Sequence, residues 1–198
     1  INVIFGPFLV GTAVGTFFTG SAFTVDKSAI YTGGAPVISS WANGWHGLEA
    51  LAQPWAVILG IAVFLLAAML GGLYTINNVD DEDLRAKMRV RTLWSGVAFV
   101  AVFVVWLNHL LLCKDYDVNN NGVVSMEYMK YLHNLLAMPL VLVVLLAGVV
   151  LVLFGWYTGA LTSSVKGIWF AGTGTVLAVL AVLLLAGYNG TAYYPSNV

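Results

Sequence analysis

The stretch PWAVILGIAVFLLAAMLGGLYTI, residues 54–76, decides the fold, because its 23 residues carry no charged side chain. About 20 apolar residues are enough for an α-helix to cross the hydrocarbon layer of a membrane. Four further stretches of this kind occur, at about 1–20, 93–113, 135–156 and 167–186. Since backbone polar groups need partners inside hydrocarbon, we expect all five stretches to be helices.

The composition excludes a soluble protein of ordinary surface polarity. Of the 198 residues, 60% are hydrophobic and only 9% are charged, and the mean hydropathy is +0.90. The net charge of −1 gives no reason to expect a nucleic-acid partner. We therefore predict an all-α fold, a polytopic bundle of five transmembrane helices in one region, 1–198, with membrane lipid as its solvent.

The basic residues between the apolar stretches predict the orientation of the chain. Cytoplasmic loops of membrane proteins carry an excess of Lys and Arg. Five basic residues fall on one side, which we expect to be cytoplasmic, and three fall on the other. The five are Arg85, Lys87, Arg89, Arg91 and Lys166, and the three are Lys27, Lys114 and Lys130.

The segment 80–91 places acids before bases, which suits a short helix leading into the third span. The spacing predicts ion pairs from Asp81 to Arg85 and from Asp83 to Lys87. A solvated turn and a contact with a partner or with anionic lipid both remain open for this segment.

Glycines and aromatic residues predict how the helices pack and where they meet the membrane surface. Two GxxxG motifs, at Gly11 and Gly15 and at Gly155 and Gly159, favour close approach of another helix. Aromatic residues near the ends of the spans are expected to lie at headgroup depth: Trp55, Trp94, Trp106, Trp156, Tyr157 and Trp169.

The longest gap, 21–53, contains the first candidate site. His46 and Glu49 are three residues apart, so in an interfacial helix they would share a face. They could then exchange a proton with each other or with a quinol. A simple surface pair below an aromatic belt is the alternative.

Two further patterns suggest a cofactor or a metal without completing its site. His46, His109 and His133 fall on the predicted outer side, where two histidines could hold a b-type haem, but no spacing repeats. Asp117, Asn119 and Asn121 resemble the start of a calcium loop, whereas the acid required at position twelve is replaced by a tyrosine. We expect hydrogen-bonded or interfacial histidines, an Asn-rich turn and no metal.

No Asp, Glu, Lys or Arg lies in the middle of any span. Ion-coupled transporters usually keep such a group near the midplane, so the sequence argues against a transport core. It also contains no recognisable group of nucleophile, base and orienting residue. A fragment of a secondary transporter and a b-type cytochrome membrane anchor are the alternatives that remain.

Several stretches, spread over almost the whole chain and in the same order, resemble subunit II of the cytochrome bd quinol oxidase. The most distinctive is the last of them. They are GPFLVGTAVGTFFTG at 6–20, WHGLEAL at 45–51, YLHN at 131–134, KGIWFAG at 166–172 and AGYNGTAYYPS at 186–196.

The resemblance implies a non-haem subunit of an electrogenic, oxygen-reducing quinol oxidase in the bacterial cytoplasmic (inner) membrane. The partner, subunit I, would carry the b haems and haem d, with quinol as the substrate of the complex. Subunit II would serve as a scaffold and, in some members, hold a structural quinone. Further helices would precede and follow this region, so we expect a fragment that is not catalytic alone, and no catalytic residue is carried over.

Overall fold

The computed structural model describes residues 2–20, 23–25, 39–118 and 124–187. Six α-helices and two short antiparallel hairpins are found among these residues. The helices are α1 (Asn2–Thr19), α2 (Pro54–Asn78), α3 (Glu82–Leu112), α4 (Lys130–Ala137), α5 (Pro139–Leu161) and α6 (Gly167–Gly187). The strands are β1 (Phe23–Val25), β2 (Ser39–Trp41), β3 (Lys114–Val118) and β4 (Val124–Tyr128), and a 3₁₀-helix covers Leu48–Ala52.

The prediction of a polytopic helical membrane protein is confirmed. Five helices, α1, α2, α3, α5 and α6, are long and apolar enough to cross a membrane. They alternate in direction, so the bundle has two ends. We call the end with β3, β4 and α4 the hairpin end. The other, where α2 is joined to α3 and α5 to α6, is the basic end.

Proline and a capping carboxylate set the beginnings of three helices. Pro54 and Pro139 occupy the first turn of α2 and α5, where a missing N–H costs nothing. Asp81 accepts a hydrogen bond from the Leu84 N–H at 3.0 Å and caps α3. From there α3 continues without interruption, so the segment 80–91 leads directly into the third span as expected.

The fourth span differs from the prediction in its boundaries. Residues 135–137 end a separate short helix, α4, and the spanning helix α5 starts only at Pro139. Proline disfavours a helical conformation in the residue before it, which explains the break at Met138. The sequence therefore indicated the span but placed its start four residues early.

Glycines bring α1 and α2 together, as the GxxxG motif in α1 predicted. A Cβ placed on Gly15 would lie 2.6 Å from the Ala56 Cα, and one on Gly11 would lie 2.9 Å from the Gly60 Cα. Two backbones in such contact exclude any side chain between them, and lipid offers no hydrophobic force to replace that packing.

A second glycine seam joins α5 and α6. A Cβ on Gly148 would lie 2.9 Å from the Gly174 carbonyl oxygen, and one on Gly155 would lie 2.5 Å from that of Gly167. The contacting glycines are seven residues apart in each helix, two turns on one face. The predicted motif thus supplies Gly155 to this seam, and Gly148, outside the motif, supplies the second contact.

Polar side chains fasten α3 to α5 at the basic end. Arg89 Nη1 donates hydrogen bonds to the carbonyl oxygen of Gly159, at 2.9 Å, and to that of Thr162. These are among the last carbonyls of α5, which lack partners within their own helix. Trp156 Nε1 donates to the Thr92 carbonyl oxygen at 3.1 Å, one turn deeper.

Two of the expected aromatic anchors have a different role in the structure. Trp106 is only 3% exposed and packs inside the bundle, and Trp156 is partly buried against α3. Trp94, Tyr157 and Trp169 are well exposed, as membrane-surface residues should be. The distance of a residue from the end of its span could not distinguish the buried aromatic residues from the exposed ones, because only the packing shows which face of the helix each ring occupies.

We predict that Gly15→Val separates α1 from α2, because its side chain would need space that the α2 backbone fills. Overpacking of this kind typically costs roughly 1–3 kcal/mol, so the thermal stability of the purified protein should fall. Gly6→Val is the matched control, since a Cβ on Gly6 of the same helix meets nothing within 4 Å. Equal stability of the two variants would contradict the seam.

Candidate functional site

A candidate site is an apolar cavity of about 420 Å³ within the bundle. It lies between the pair α1–α2, the helix α3 and the pair α5–α6. Valine, leucine and phenylalanine side chains dominate its wall, and the hydroxyl of its one threonine, Thr175, donates to the Ala171 carbonyl oxygen at 2.8 Å. The cavity therefore presents an apolar surface to any molecule that enters it.

The wall of the cavity combines buried and lipid-facing residues. Leu59, Ala62 and Val152 are buried, whereas Val10 and Val179 are exposed on the outer surface of the bundle. A pocket with this wall opens sideways toward the membrane rather than toward water. Its chemistry suits a flexible hydrocarbon chain, such as a lipid tail or an isoprenoid.

Aromatic rings close the cavity toward the hairpin end. The Phe18 ring meets Trp106 edge to face, with centroids 5.4 Å apart, and Tyr131 at 6.2 Å. Tyr131 and Asn134 of α4 are fully buried above them, and Asn134 Nδ2 donates to the Leu185 carbonyl oxygen at 3.3 Å. The short helix α4 thus forms a lid between the cavity and the polar residues above it.

A charged cluster lies on the outer side of that lid. Lys130 Nζ is 2.6 Å from Asp117 Oδ1 and 3.2 Å from Glu127 Oε2, and His133 Nδ1 is 2.9 Å from Glu127 Oε1. The hydrogen bonds of His133 and then Lys130 lower the pKa of Glu127. Burial opposes the charged form of Lys130, but its hydrogen bonds to both carboxylates prevail and its pKa is raised.

Asp115 is the unusual member of this region. It lies opposite Glu127 across the β3–β4 ladder, so both side chains occupy one face of the hairpin. Asp115 is only 8% exposed, and its Oδ2 has no hydrogen-bond partner among the described residues. Burial raises its pKa to about 7, so this carboxyl changes charge near neutral pH.

His109 and Cys113 form a neighbouring group at the end of α3. The His109 ring stacks on Trp55 of α2 with centroids 3.4 Å apart, and the Cys113 Sγ lies 2.7 Å from His109 Nδ1. Burial, and then the charge of Asp115, raise the pKa of the Cys113 thiol. The group ties the ends of α2 and α3 together beside the hairpin.

The structure does not bring His46 and Glu49 together as expected. His46 adopts a left-handed backbone conformation with φ of 49° and packs edge-on against Trp41, ahead of the 3₁₀-helix. Glu49 Oε2 instead accepts a hydrogen bond from the Gly47 N–H at 2.9 Å. The two side chains do not share a helical face, because the helix begins after His46.

The calcium-like pattern is only partly visible. Asp117 is engaged by Lys130, and Asn119 and Asn121 lie outside the described residues. Within the described ranges, no three His, Cys, Asp or Glu side chains are grouped so that they could hold a metal ion. The described residues on either side of the expected Asn-rich turn form the paired strands β3 and β4.

Sequence reasoning missed Asp115 and the cavity. The alternation of polar and apolar residues on both sides of an Asn- and Gly-containing turn is a hairpin signal that could have placed Asp115 on the same face as Glu127. No comparable signal exists for the cavity, because it depends on the separation of helices that are distant in sequence.

The family model described as cytochrome bd terminal oxidase subunit II matches residues 1–198, which is the whole chain. No curated protein matches it. The family match agrees with the resemblance carried by the five quoted stretches.

We predict that the hairpin loosens as Asp115 ionises. In the folded protein the pKa of Asp115 is about 7, which lies above its ordinary value of 3.8. The stability that this carboxyl contributes is therefore complete below pH 3.8 and declines as the pH rises toward about 7. Hydrogen exchange of residues 114–118 and 124–128, corrected for intrinsic rates, should show less protection at about pH 8 than at about pH 5.5, a loss of up to about 2 kcal/mol.

Asp115→Asn should reduce this pH dependence, because it removes the group that ionises. Asp83→Asn, an exposed acid at the basic end, is the control and should behave like the unmodified protein. An unchanged loss of protection in the Asp115 variant would show that another group is responsible.

Proposed function

Because the chain belongs to the cytochrome bd terminal oxidase subunit II family, we propose that it is the haem-free scaffold subunit of a quinol-oxidising, oxygen-reducing complex. The family match over all 198 residues is the observation that carries this proposal. The partner would be a haem-bearing subunit I in a bacterial cytoplasmic membrane, with the basic end of this chain facing the cytoplasm.

The histidines support a haem-free role for this chain. His109 is stacked on Trp55, His133 is hydrogen-bonded to Glu127, and His46 packs against Trp41. A b-type haem held by two histidines, as considered from the sequence, needs both imidazoles directed at one iron from opposite sides. The positions of these three rings favour structural roles at the hairpin end over the cytochrome-anchor alternative.

The cavity supports a second part of the proposal, namely that the chain holds the tail of a structural quinone. Its volume of about 420 Å³ lies within the range of about 300–1,000 Å³ typical of small-molecule sites. The apolar wall favours an isoprenoid chain, whereas quinone carbonyls would lose their hydrogen bonds inside it. We therefore assign the tail to the cavity and the ring to its mouth.

The scaffold proposal is tested by purifying the protein, at its full natural length, from membranes. We expect a larger subunit to accompany it, with b and d haem absorption bands and oxygen uptake driven by quinol. His133→Ala should leave the haem bands unchanged, because the haems belong to the partner.

A colourless chain without a partner would contradict the proposal and return the transporter alternative to first place. Loss of a Soret band in His133→Ala would instead support the cytochrome anchor. The two failures are distinguishable because only the second involves a pigment.

The quinone proposal is tested by filling the cavity from its lipid side. Val179→Trp should lower severalfold the quinone recovered by solvent extraction of the purified complex, since Val179 lines the cavity. Val176→Trp is the matched control, because Val176 of the same helix is exposed and lies outside the lining. Equal quinone content in both variants would contradict the assignment.

A further inference from the structure

The basic residues at the basic end are not equivalent once the structure is known. Arg85 forms ion pairs with Asp80, at 3.2 Å, and with Glu82, at 2.8 Å, in place of the pair with Asp81 that the spacing predicted. Arg89 is occupied by the end of α5. Both cations therefore have their partners inside the protein.

Lys87 and Arg91 differ from these two arginines. Both are exposed, and neither has an ion pair or hydrogen bond to the described residues. The expected pair between Asp83 and Lys87 is not formed in the described structure. Two uncompensated positive charges are thus presented outward, four residues apart on one face of α3.

The same face continues into the membrane with an aromatic and then an aliphatic surface. Trp94 follows Arg91 by three residues and is 67% exposed, and Val97 and Val105 beyond it are also exposed. Along the helix, the charged side chains come first, then the indole, then the aliphatic side chains. A phospholipid has its phosphate, glycerol and acyl chains in the same order.

The length of α3 places this face at the correct depth. Its 31 residues extend about 46 Å, which exceeds the hydrocarbon thickness of about 30 Å. Arg91 lies about 32 Å along the axis from Leu112, so with Leu112 at one boundary, Arg91 reaches the other. Lys87 then lies about 6 Å further out, among the headgroups.

We propose that Lys87, Arg91 and Trp94 form a binding site for one anionic phospholipid of the leaflet at the basic end. The phosphate accepts hydrogen bonds from the Arg91 guanidinium and the Lys87 ammonium, the Trp94 indole covers the glycerol region, and one acyl chain follows the exposed valines. A net negative headgroup is selected because two positive charges meet it, whereas the ammonium of a zwitterionic lipid offsets its own phosphate.

The acids that begin α3 do not oppose this assignment. Asp80 and Glu82 are both paired with Arg85, and Asp81 caps the helix. Asp83 is one helical turn further from the membrane than Lys87. The nearest charges to a phosphate between Lys87 and Arg91 are therefore positive.

The test begins with the complex purified from membranes and delipidated in detergent. Phosphatidylglycerol or phosphatidylcholine is then added in increasing amounts, and native mass spectrometry counts the lipid molecules that remain bound. We expect one phosphatidylglycerol bound in preference to phosphatidylcholine. Lys87→Gln with Arg91→Gln should weaken its apparent affinity roughly 30-fold, the effect expected of two headgroup-level charges.

Two control variants separate the site from general electrostatics. Lys166→Gln removes an exposed charge on the α5–α6 connection and should leave the affinity unchanged. Lys87→Arg with Arg91→Lys keeps both charges and should retain most of the affinity. Equal weakening in all the variants, or equal loss of phosphatidylcholine, would overturn the proposal.

A salt titration of the unmodified complex provides a result that does not depend on a stable variant. The affinity for phosphatidylglycerol should fall steeply with ionic strength, and that for phosphatidylcholine should not. Absence of a preferred phosphatidylglycerol at low salt would overturn the lipid site and indicate that a protein surface covers this face of α3.

Discussion

Close backbone contact at glycines is the interaction on which the rest of this structure depends. In water, helices associate because they bury apolar surface, but in lipid that gain is absent and direct packing must replace it. Gly11 and Gly15 supply the contact between α1 and α2, and Gly148 and Gly155 supply it between α5 and α6. The bundle is therefore assembled from two tightly joined helix pairs with α3 beside them.

The cavity follows from this arrangement. The surfaces that the pairs turn toward one another carry mainly larger aliphatic and aromatic side chains. Side chains at both ends of the bundle also link the pairs to one another or to α3. Arg89 and Trp156 fasten the basic end, and Phe18, Trp106 and Tyr131 fill the hairpin end. The space left between them is apolar and faces lipid, which is why we propose it for a quinone tail.

The two ends of the bundle treat charge in different ways. At the hairpin end, Asp117, Glu127 and Lys130 compensate one another within the protein, and a buried carboxyl, Asp115, is left to titrate. At the basic end, internal partners occupy Arg85 and Arg89 and leave two other cations for the membrane surface. A count of charges per loop cannot make this distinction, because it depends on which atoms lie within a few ångströms.

The sequence by itself determined the five spans, the glycine seam of α1 and α2, the continuous helix from the acidic segment into the third span, and the resemblance that the family match confirms. These properties depend on length, hydropathy and local spacing, which a single chain displays directly. Tertiary structure decided that Trp106 is buried, that Glu49 binds the Gly47 N–H and not His46, that Asp115 is buried within a hairpin and that a cavity exists. Each of these depends on contacts between helices or strands that are remote in sequence, and the burial that shifts a pKa or empties a space arises only when those segments meet.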